Sequence, residues 1–343
     1  MRMYKKLYAG CLTTTLASTF VAFSIIWIII PLSFRWSLPF QTFMVFIPIE
    51  SPRNPQFSQP EEVYSIQGVQ NFYKTVHDEP RNAQTSIGMW LILHEDDITN
   101  TLSVEDVISD SSRDILIYLH GVYANRAKPL HQYSVFRKYF LVIAIDHRGY
   151  GDSGGNVDMT ETGIVRDHVQ LYNWVRSLNP TVDIYYWGHS LGTALTTHTL
   201  KVLKEEQNVV PKGLILESPF TSMEDVIRNI VFGKIFEWLA YFESTILQPL
   251  RDNQLVFLSY QHITSIDCPI MILHAEDDSV VPYKLGVLLA EIANKTRTAN
   301  QGDVVFHGFS DDLGHGHDDI TRNPGIYRMI EEFKDACEQF GSQ

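Results

Sequence analysis

Apolar and polar positions follow two different periods along this chain of 343 residues. From Asp114 onward, short apolar runs recur between stretches with helical spacing. The runs are ILIYLH (Ile115–His120), FLVIAID (Phe140–Asp146), IYYW (Ile184–Trp187), GLILE (Gly213–Glu217), IMILH (Ile270–His274) and VVFHGF (Val304–Phe309). Apolar runs of this length without polar alternation predict strands buried on both faces. Between and after them the spacing predicts helices over Thr162–Leu178, Leu191–Glu206, Tyr283–Asn294 and Ile326–Phe340. Upstream, Gly68–His77 and Thr85–His94 predict a hairpin. Strands alternating with helices predict an α/β fold, a mostly parallel central sheet covered on both sides.

Two segments break that rhythm. Leu7–Phe34 holds no charged residue, and its most apolar part reads FVAFSIIWIII (Phe20–Ile30). About 20 apolar residues cross a bilayer core, so this stretch predicts a transmembrane helix. Its hydroxyls (Thr13, Thr14, Thr15, Ser18 and Thr19) can bond back to the helix backbone. The run ends in Ile-Ile-Ile-Pro-Leu-Ser-Phe, without the small-residue site of a cleaved signal, so a retained anchor is expected. Arg2, Lys5 and Lys6 precede it and only Arg35 closely follows. That charge bias keeps residues 1–34 as a cytoplasmic N-terminus plus anchor and sends the rest across the membrane. A lumenal domain of the endoplasmic reticulum is the expectation, with the sequon Asn294-Lys295-Thr296 open to glycosylation. Residues 35–65 are rich in Pro and polar residues and are expected to be a linker ahead of a catalytic domain over 66–343. The second break is Pro219–Asp267, too long for a plain crossover and dense in Phe232, Phe236, Trp238, Tyr241 and Phe242. An inserted helical cap, suited to receiving an apolar chain, is the expectation there.

Composition narrows the function. Hydrophobic residues are 45% and charged residues 20%, which fits a folded globular chain. A formal net charge of −13 repels nucleic acid. The cysteines Cys11, Cys268 and Cys337 match no zinc spacing and are too few for a disulfide scaffold. Cys268 and Cys337 could pair in an oxidising compartment; two separately packed thiols are the simpler expectation. No cofactor or metal is expected.

The chemistry centres on Gly188-His189-Ser190-Leu191-Gly192, a G-x-S-x-G where a strand becomes a helix. A serine held on such a turn stands above the sheet at a helix N-terminus, where backbone N–H groups can stabilise an oxyanion. An ordinary strand-to-helix turn that happens to contain serine is the plainer alternative. A nucleophilic serine needs a base and the base an orienting acid, in the chain order Ser, acid, His on this kind of turn. Among Glu276, Asp277 and Asp278, the last stands four residues before Pro282 and is the candidate acid. After the last strand, DDLGHGHDDI offers His315 and His317 as bases. A metal cluster of Asp311, His315, His317 and Asp318 is the competing expectation, and it leaves Ser190 and Asp278 without a role. The loop LHGVYANRA supplies the N–H of Val122, which with that of Leu191 would form an oxyanion hole. His147 and Asp152 in DHRGYGDS match an H-x₄-D spacing, although the strand end already explains the glycines there.

With these pieces placed, the chain resembles the α/β-hydrolase-domain membrane lipases that act on lysophosphatidylserine and monoacylglycerol. The resemblance runs from about Asp114 to Phe340 and rests on YLHG, DHRGYGDS, WGHSLGTAL, LILESPFT, CPIMILHAEDDSVVPY and SDDLGHGH. It implies an α/β-hydrolase fold and a membrane-anchored serine hydrolase of acyl esters. Ser190 would be the nucleophile, Asp278 the acid and His317 the base. Two departures flank the site: Val122-Tyr123 where the family often has Asn-Ala, and the additional His315. An acyl-protein thioesterase and a non-catalytic lipid-binding protein on the same fold are the rival expectations.

Overall fold

The structure, a computed structural model, describes residues 14–78, 82–99, 102–154 and 159–341. Its centre is an eight-stranded sheet in the order β1-β2-β4-β3-β5-β6-β7-β8. The strands are β1 (Val69–Asp78), β2 (Ala83–Ile92), β3 (Ile115–Leu119), β4 (Leu141–Ile145), β5 (Ile184–His189), β6 (Gly213–Glu217), β7 (Ile270–Ala275) and β8 (Val304–Phe309). The β1–β2 hairpin is antiparallel and joins β4 antiparallel; every pairing from β4 through β8 is parallel. This is the α/β fold with a mostly parallel sheet that the apolar runs predict, in the α/β-hydrolase arrangement that the resemblance implies.

Side chains on successive strand positions point to opposite faces. In β3, Ile115, Ile117 and Leu119 enter one core, while Leu116 and Tyr118 enter the other. β4, β5 and β7 divide in the same way, so their interior positions are apolar and charged or histidine side chains come only at or near the strand ends. Cys268 packs into the first core and Cys337 into the second, both as free thiols. Cys11 lies outside the described residues.

The helix Thr14–Trp36 has 23 residues, a mean hydropathy of 2.1 over its most apolar window and little burial. It is long and apolar enough to cross a membrane, and Ile25–Ile29 forms a π-helical turn within it. The basic residues Arg2, Lys5 and Lys6 lie outside the described residues.

Residues 35–65, expected as a linker, are folded onto the domain. Ser37 caps a helix Leu38–Phe46, its Oγ accepting the Phe40 N–H at 3.3 Å, with Pro39 in the first turn. Phe46 is fully buried against the Phe257 ring, and the buried Gln41 donates to the Phe34 carbonyl at 2.6 Å. Further on, the Phe57 ring lies 3.5 Å from the Arg126 guanidinium. The prolines punctuate this stretch, but the apolar residues between them reach the core.

Between β6 and β7 the chain builds the cap from short helical pieces: Met223–Asn229, Val231–Phe236, Glu243–Leu247, Gln248–Asp252 and Ser259–His262. Its two feet are stitched together. Met223 N–H donates to the Val256 carbonyl at 2.9 Å, and Tyr260 N–H to Thr221 at 3.0 Å. Glu161 then ties the returning foot to the core by accepting the Phe257 N–H at 3.0 Å.

Candidate active site

Ser190 sits between β5 and the helix Leu191–Gln207 with φ 53° and ψ −119°, a left-handed conformation that a non-glycine residue adopts only under strain. Close packing sets this turn. A Cβ on Gly188 would meet the Gly192 carbonyl oxygen at 2.6 Å, and one on Gly192 would meet the Leu119 oxygen at 2.1 Å. The Ser190 N–H donates to the Glu217 carbonyl at 2.9 Å, fixing the elbow to β6. Leu191 is the first residue of its helix, so its N–H has no intrahelical acceptor. Gly121 packs so tightly that a Cβ there would lie 2.8 Å from the Ser190 Cβ. The Gly121-Val122 loop is thereby brought beside the serine.

The loop after β7 carries Asp278, which is buried. Its Oδ1 accepts the N–H groups of Val280 and Val281, each at 2.8 Å. Its Oδ2 accepts from His317 Nδ1 at 2.7 Å, and His274 Nε2 stands 3.3 Å away. Burial pushes this carboxyl up, but the hydrogen bonds from His274 and His317, the His317 charge and the Val281 N–H together hold it well below the usual carboxylate range. An ionised Asp278 requires the proton on His317 Nδ1, which leaves Nε2 with a free lone pair.

Backbone contacts fix the loop that carries His317. Its carbonyl accepts from His189 Nε2 at 2.9 Å and from the Ser218 hydroxyl at 3.3 Å. The His189 and His317 rings lie 4.9 Å apart, next door to Ser190. One residue back, the Gly316 N–H lies 3.0 Å from both oxygens of Asp277. Burial and the neighbouring His317 push the His189 pKa down to about 4, so it is neutral near pH 7. Beneath the elbow, burial raises the Glu217 carboxyl to about 8, and it accepts the Trp187 indole N–H at 2.8 Å.

His315 points elsewhere. Its Nε2 bonds the Asn323 amide at 3.0 Å and its ring stands edge-on to Phe309. Asp318 pairs with Lys128 at 3.2 Å. His315, His317 and Asp318 of the competing metal reading thus take separate partners. His147 and Asp152 do not pair either. His147 Nε2 donates to the His120 carbonyl at 2.9 Å, while Asp152 bonds Arg126 at 2.8 Å and Tyr73 at 2.5 Å.

Among the described residues, Glu161, His198 and His262 are the group with a metal-binding composition, their ligand atoms within 4.8 Å of one another. His198 lies about two turns along the elbow helix from Ser190, with Glu161 and His262 brought to it from other helices. Glu161 is already engaged, with His198 Nδ1 at 2.7 Å and the Phe257 N–H on its other oxygen. The two imidazoles stack at 29°, so their lone pairs do not converge on one point. This arrangement suits a strap for the cap better than a metal centre.

Over Ser190 lies a cavity of 190 Å³. Val122, Leu191, Val280 and Val281 border the serine, and the cap supplies Phe220, Met223, Val226, Ile227, Ile230 and Ile246. The remaining wall, Phe34, Met44, Val45 and Ile47, comes from the N-terminal helix and the helix after it. In sequence these four fall within the expected anchor and linker. The signal was present in Ser37-Leu38-Pro39, a helix cap followed by apolar residues.

The comparisons agree with this architecture. The family model described as Serine aminopeptidase, S33, of the Hydrolase_4 group, matches residues 110–259. Lysophosphatidylserine lipase ABHD12 of Xenopus tropicalis is 30% identical over 323 residues, 92% of this chain and 81% of that protein. The Macaca fascicularis protein of the same name is 33% identical over 286 residues, 82% of this chain and 67% of its own length. Among solved structures, the Pyrococcus furiosus esterase Pf2001 superposes with a TM-score of 0.52 at 17% identity, covering 85% of this chain and 95% of that one, which speaks to the fold alone. With its elbow, cap and N-terminal helix, this chain belongs to the ABHD12 family of α/β-hydrolases.

Proposed function

We propose that this protein is a membrane-anchored serine hydrolase that cleaves the acyl ester of lysophospholipids or monoacylglycerols. The observation that carries the proposal is the 2.7 Å pairing of His317 with a buried, ionised Asp278 beside a strained Ser190, under a narrow apolar cavity. At 190 Å³ the cavity is smaller than the ~300–1,000 Å³ typical of ligand pockets, and its walls are apolar. It suits part of a slender acyl chain rather than a polar head group. The relatives' names point to the same substrate class.

In the proposed reaction the Ser190 hydroxyl oxygen bonds to the ester carbonyl carbon as its proton passes to His317 Nε2. The carbonyl oxygen becomes an oxyanion facing the N–H groups of Val122 and Leu191. Asp278 stabilises the imidazolium and does not take its proton. The carbon–oxygen bond to glycerol breaks and the glycerol oxygen takes the proton from Nε2. Water then repeats the cycle on the acyl-enzyme and releases the fatty acid. Lumenal placement in the endoplasmic reticulum is part of the proposal, supported by Arg2, Lys5 and Lys6 ahead of the span and by exposed Asn294 in its sequon.

The test is labelling with a serine-directed phosphonate together with hydrolysis of a lysophospholipid panel. Ser190→Ala is expected to abolish both while the protein stays folded and membrane-bound. Undiminished labelling would place the nucleophile elsewhere. Digestion of the catalytic domain by protease added to intact microsomes would overturn the lumenal placement.

A further inference from the structure

The N-terminal helix lies along the cap as well as leading into the domain. Trp27 packs edge-on against Phe236 at 5.5 Å and Trp238 at 5.3 Å, both cap residues. The Tyr241 hydroxyl donates to the Trp27 carbonyl, and the Arg35 guanidinium to the Ser244 carbonyl. Trp27 stands nine residues before Trp36, where the helix ends. At ~1.5 Å per residue, these cap contacts reach about 14 Å back along a helix built to sit in hydrocarbon.

The cap surface next to these contacts is apolar and uncovered. Val231 is 75% exposed, Ile235 41% and Trp238 66%. Val231 and Ile235, four residues apart on the helix Val231–Phe236, share one side of it, and Trp238 stands in the turn just beyond. Lys234 falls on the same side, and a lysine stem can lie along apolar surface while its ammonium reaches the head-group layer. Trp36, Leu38 and Phe43 extend the exposed apolar surface from the end of the helix onto the one that follows. Wet apolar surface of this kind marks an interaction site. Its partner is set by continuity with Thr14–Trp36, which itself belongs in a bilayer.

We propose that the cap face of Val231, Ile235 and Trp238 is seated in the acyl region of the leaflet from which the anchor emerges, and that the lipid substrate passes sideways from that leaflet into the cavity over Ser190. The cavity wall supports this route. Cap residues Ile227, Ile230 and Ile246 close one side, while Phe34, Met44, Val45 and Ile47 close the other. The seam between anchor and cap is therefore also a seam of the cavity, and an acyl chain entering along it stays out of water. The anchor becomes part of the binding site rather than a tether. This inference rests on the lysophospholipid reading for its substrate, while the placement of the cap stands separately.

The experiment uses full-length protein in phosphatidylcholine vesicles, with Cys11→Ser to leave only the buried Cys268 and Cys337. An environment-sensitive fluorophore is attached at Val231→Cys and, as the control, at Thr298→Cys on an exposed turn. Lipids carrying a nitroxide on the acyl chain are expected to quench the first label at least twofold and the second hardly at all. In parallel, Val231→Asp/Ile235→Asp is expected to lower lysophospholipid turnover in vesicles at least tenfold relative to turnover of a water-soluble butyrate ester. Equal quenching at both positions, or an unchanged ratio, would overturn the proposal. A wild-type enzyme that cleaves the butyrate ester but no lysophospholipid would refute the substrate reading, and the quenching result would still decide where the cap sits.

Discussion

Asp278→Asn isolates the orienting role of the carboxylate. An asparagine can keep its oxygen toward the N–H groups of Val280 and Val281, so the turn survives. Its amide nitrogen then faces His317 Nδ1, formerly 2.7 Å from Oδ2, and His274 Nε2, formerly 3.3 Å away. Two donors cannot satisfy one another, so His317 must offer the lone pair of Nδ1 and carry its proton on Nε2. That tautomer cannot accept the Ser190 proton. The wrong-tautomer penalty in such triads is ~10⁴ in kcat, or about 5 kcal/mol on the barrier. His274 Nε2 keeps its 3.0 Å bond to the Val281 carbonyl, so the loss falls on catalysis in a protein that still folds. The assay is lysophospholipid turnover in vesicles, with circular dichroism on the same preparation. Asp277→Asn is the internal control. Asp277 holds only the Gly316 N–H among the described contacts, and an amide retains one acceptor for it. A folded Asp278→Asn enzyme keeping more than a tenth of wild-type turnover would refute the reasoning, as would equal losses in the two variants.

The neighbouring histidines separate in the same assay: His317→Ala is expected to lose at least a thousandfold in kcat, and His315→Ala, which removes only the Asn323 and Phe309 contacts, less than tenfold. Gly192→Ala should fail to accumulate as folded protein or melt far below wild type, because its Cβ would sit 2.1 Å from the rigid Leu119 carbonyl; a thermal melt within two degrees of wild type would contradict this. Acid should weaken what the buried histidines contribute to stability. Burial lowers His120 to about 3 and His189 to about 4 from an ordinary 6.5. The folded state therefore stays neutral while the unfolded chain takes up protons below 6.5. Stability is full above that value and falls as pH drops toward the folded values, by about 2 kcal/mol per histidine at pH 5. Glu217, raised to about 8, binds its proton in the folded state and opposes this loss, so the check is the histidine titration itself: a His120 or His189 imidazole signal titrating above pH ~6 in the folded protein would contradict their burial.

The centre of the sheet was legible because β3 to β7 are buried on both faces, whereas the edge strands β1 and β8 are partly exposed. Ile115–Leu119 and Leu141–Ile145 carry no polar position to blur the pattern, and Val304–Phe309 runs where the apolar spacing puts it. The elbow was legible because Gly188 and Gly192 are demanded by backbone atoms a few residues away or on an adjacent strand. Other features depend on contacts that no local window contains. His315 and His317 are two residues apart and cannot be distinguished by spacing; only the fold brings one of them to Asp278, 39 residues earlier. The His189 and Ser218 bonds to the His317 carbonyl span 128 and 99 residues. The helix Leu38–Phe46 was hidden by its setting, since the prolines around it imitate a linker. The N-terminal wall of the cavity, Phe34, Met44, Val45 and Ile47, is hidden in sequence for the same reason.

The stitched feet of the cap have an evolutionary consequence. Val256 and Thr221 close the cap's chain into a loop at its base, and Glu161 fastens the closed loop to the core. Strain introduced between about residues 224 and 255 is absorbed within that loop and does not reach the strands that carry Ser190 and Asp278. Natural variation can lengthen, shorten or recolour the cap while the reaction centre keeps its geometry. The fold thus separates two inheritable traits, what the enzyme does and what it does it to, and lets the second drift at little risk to the first.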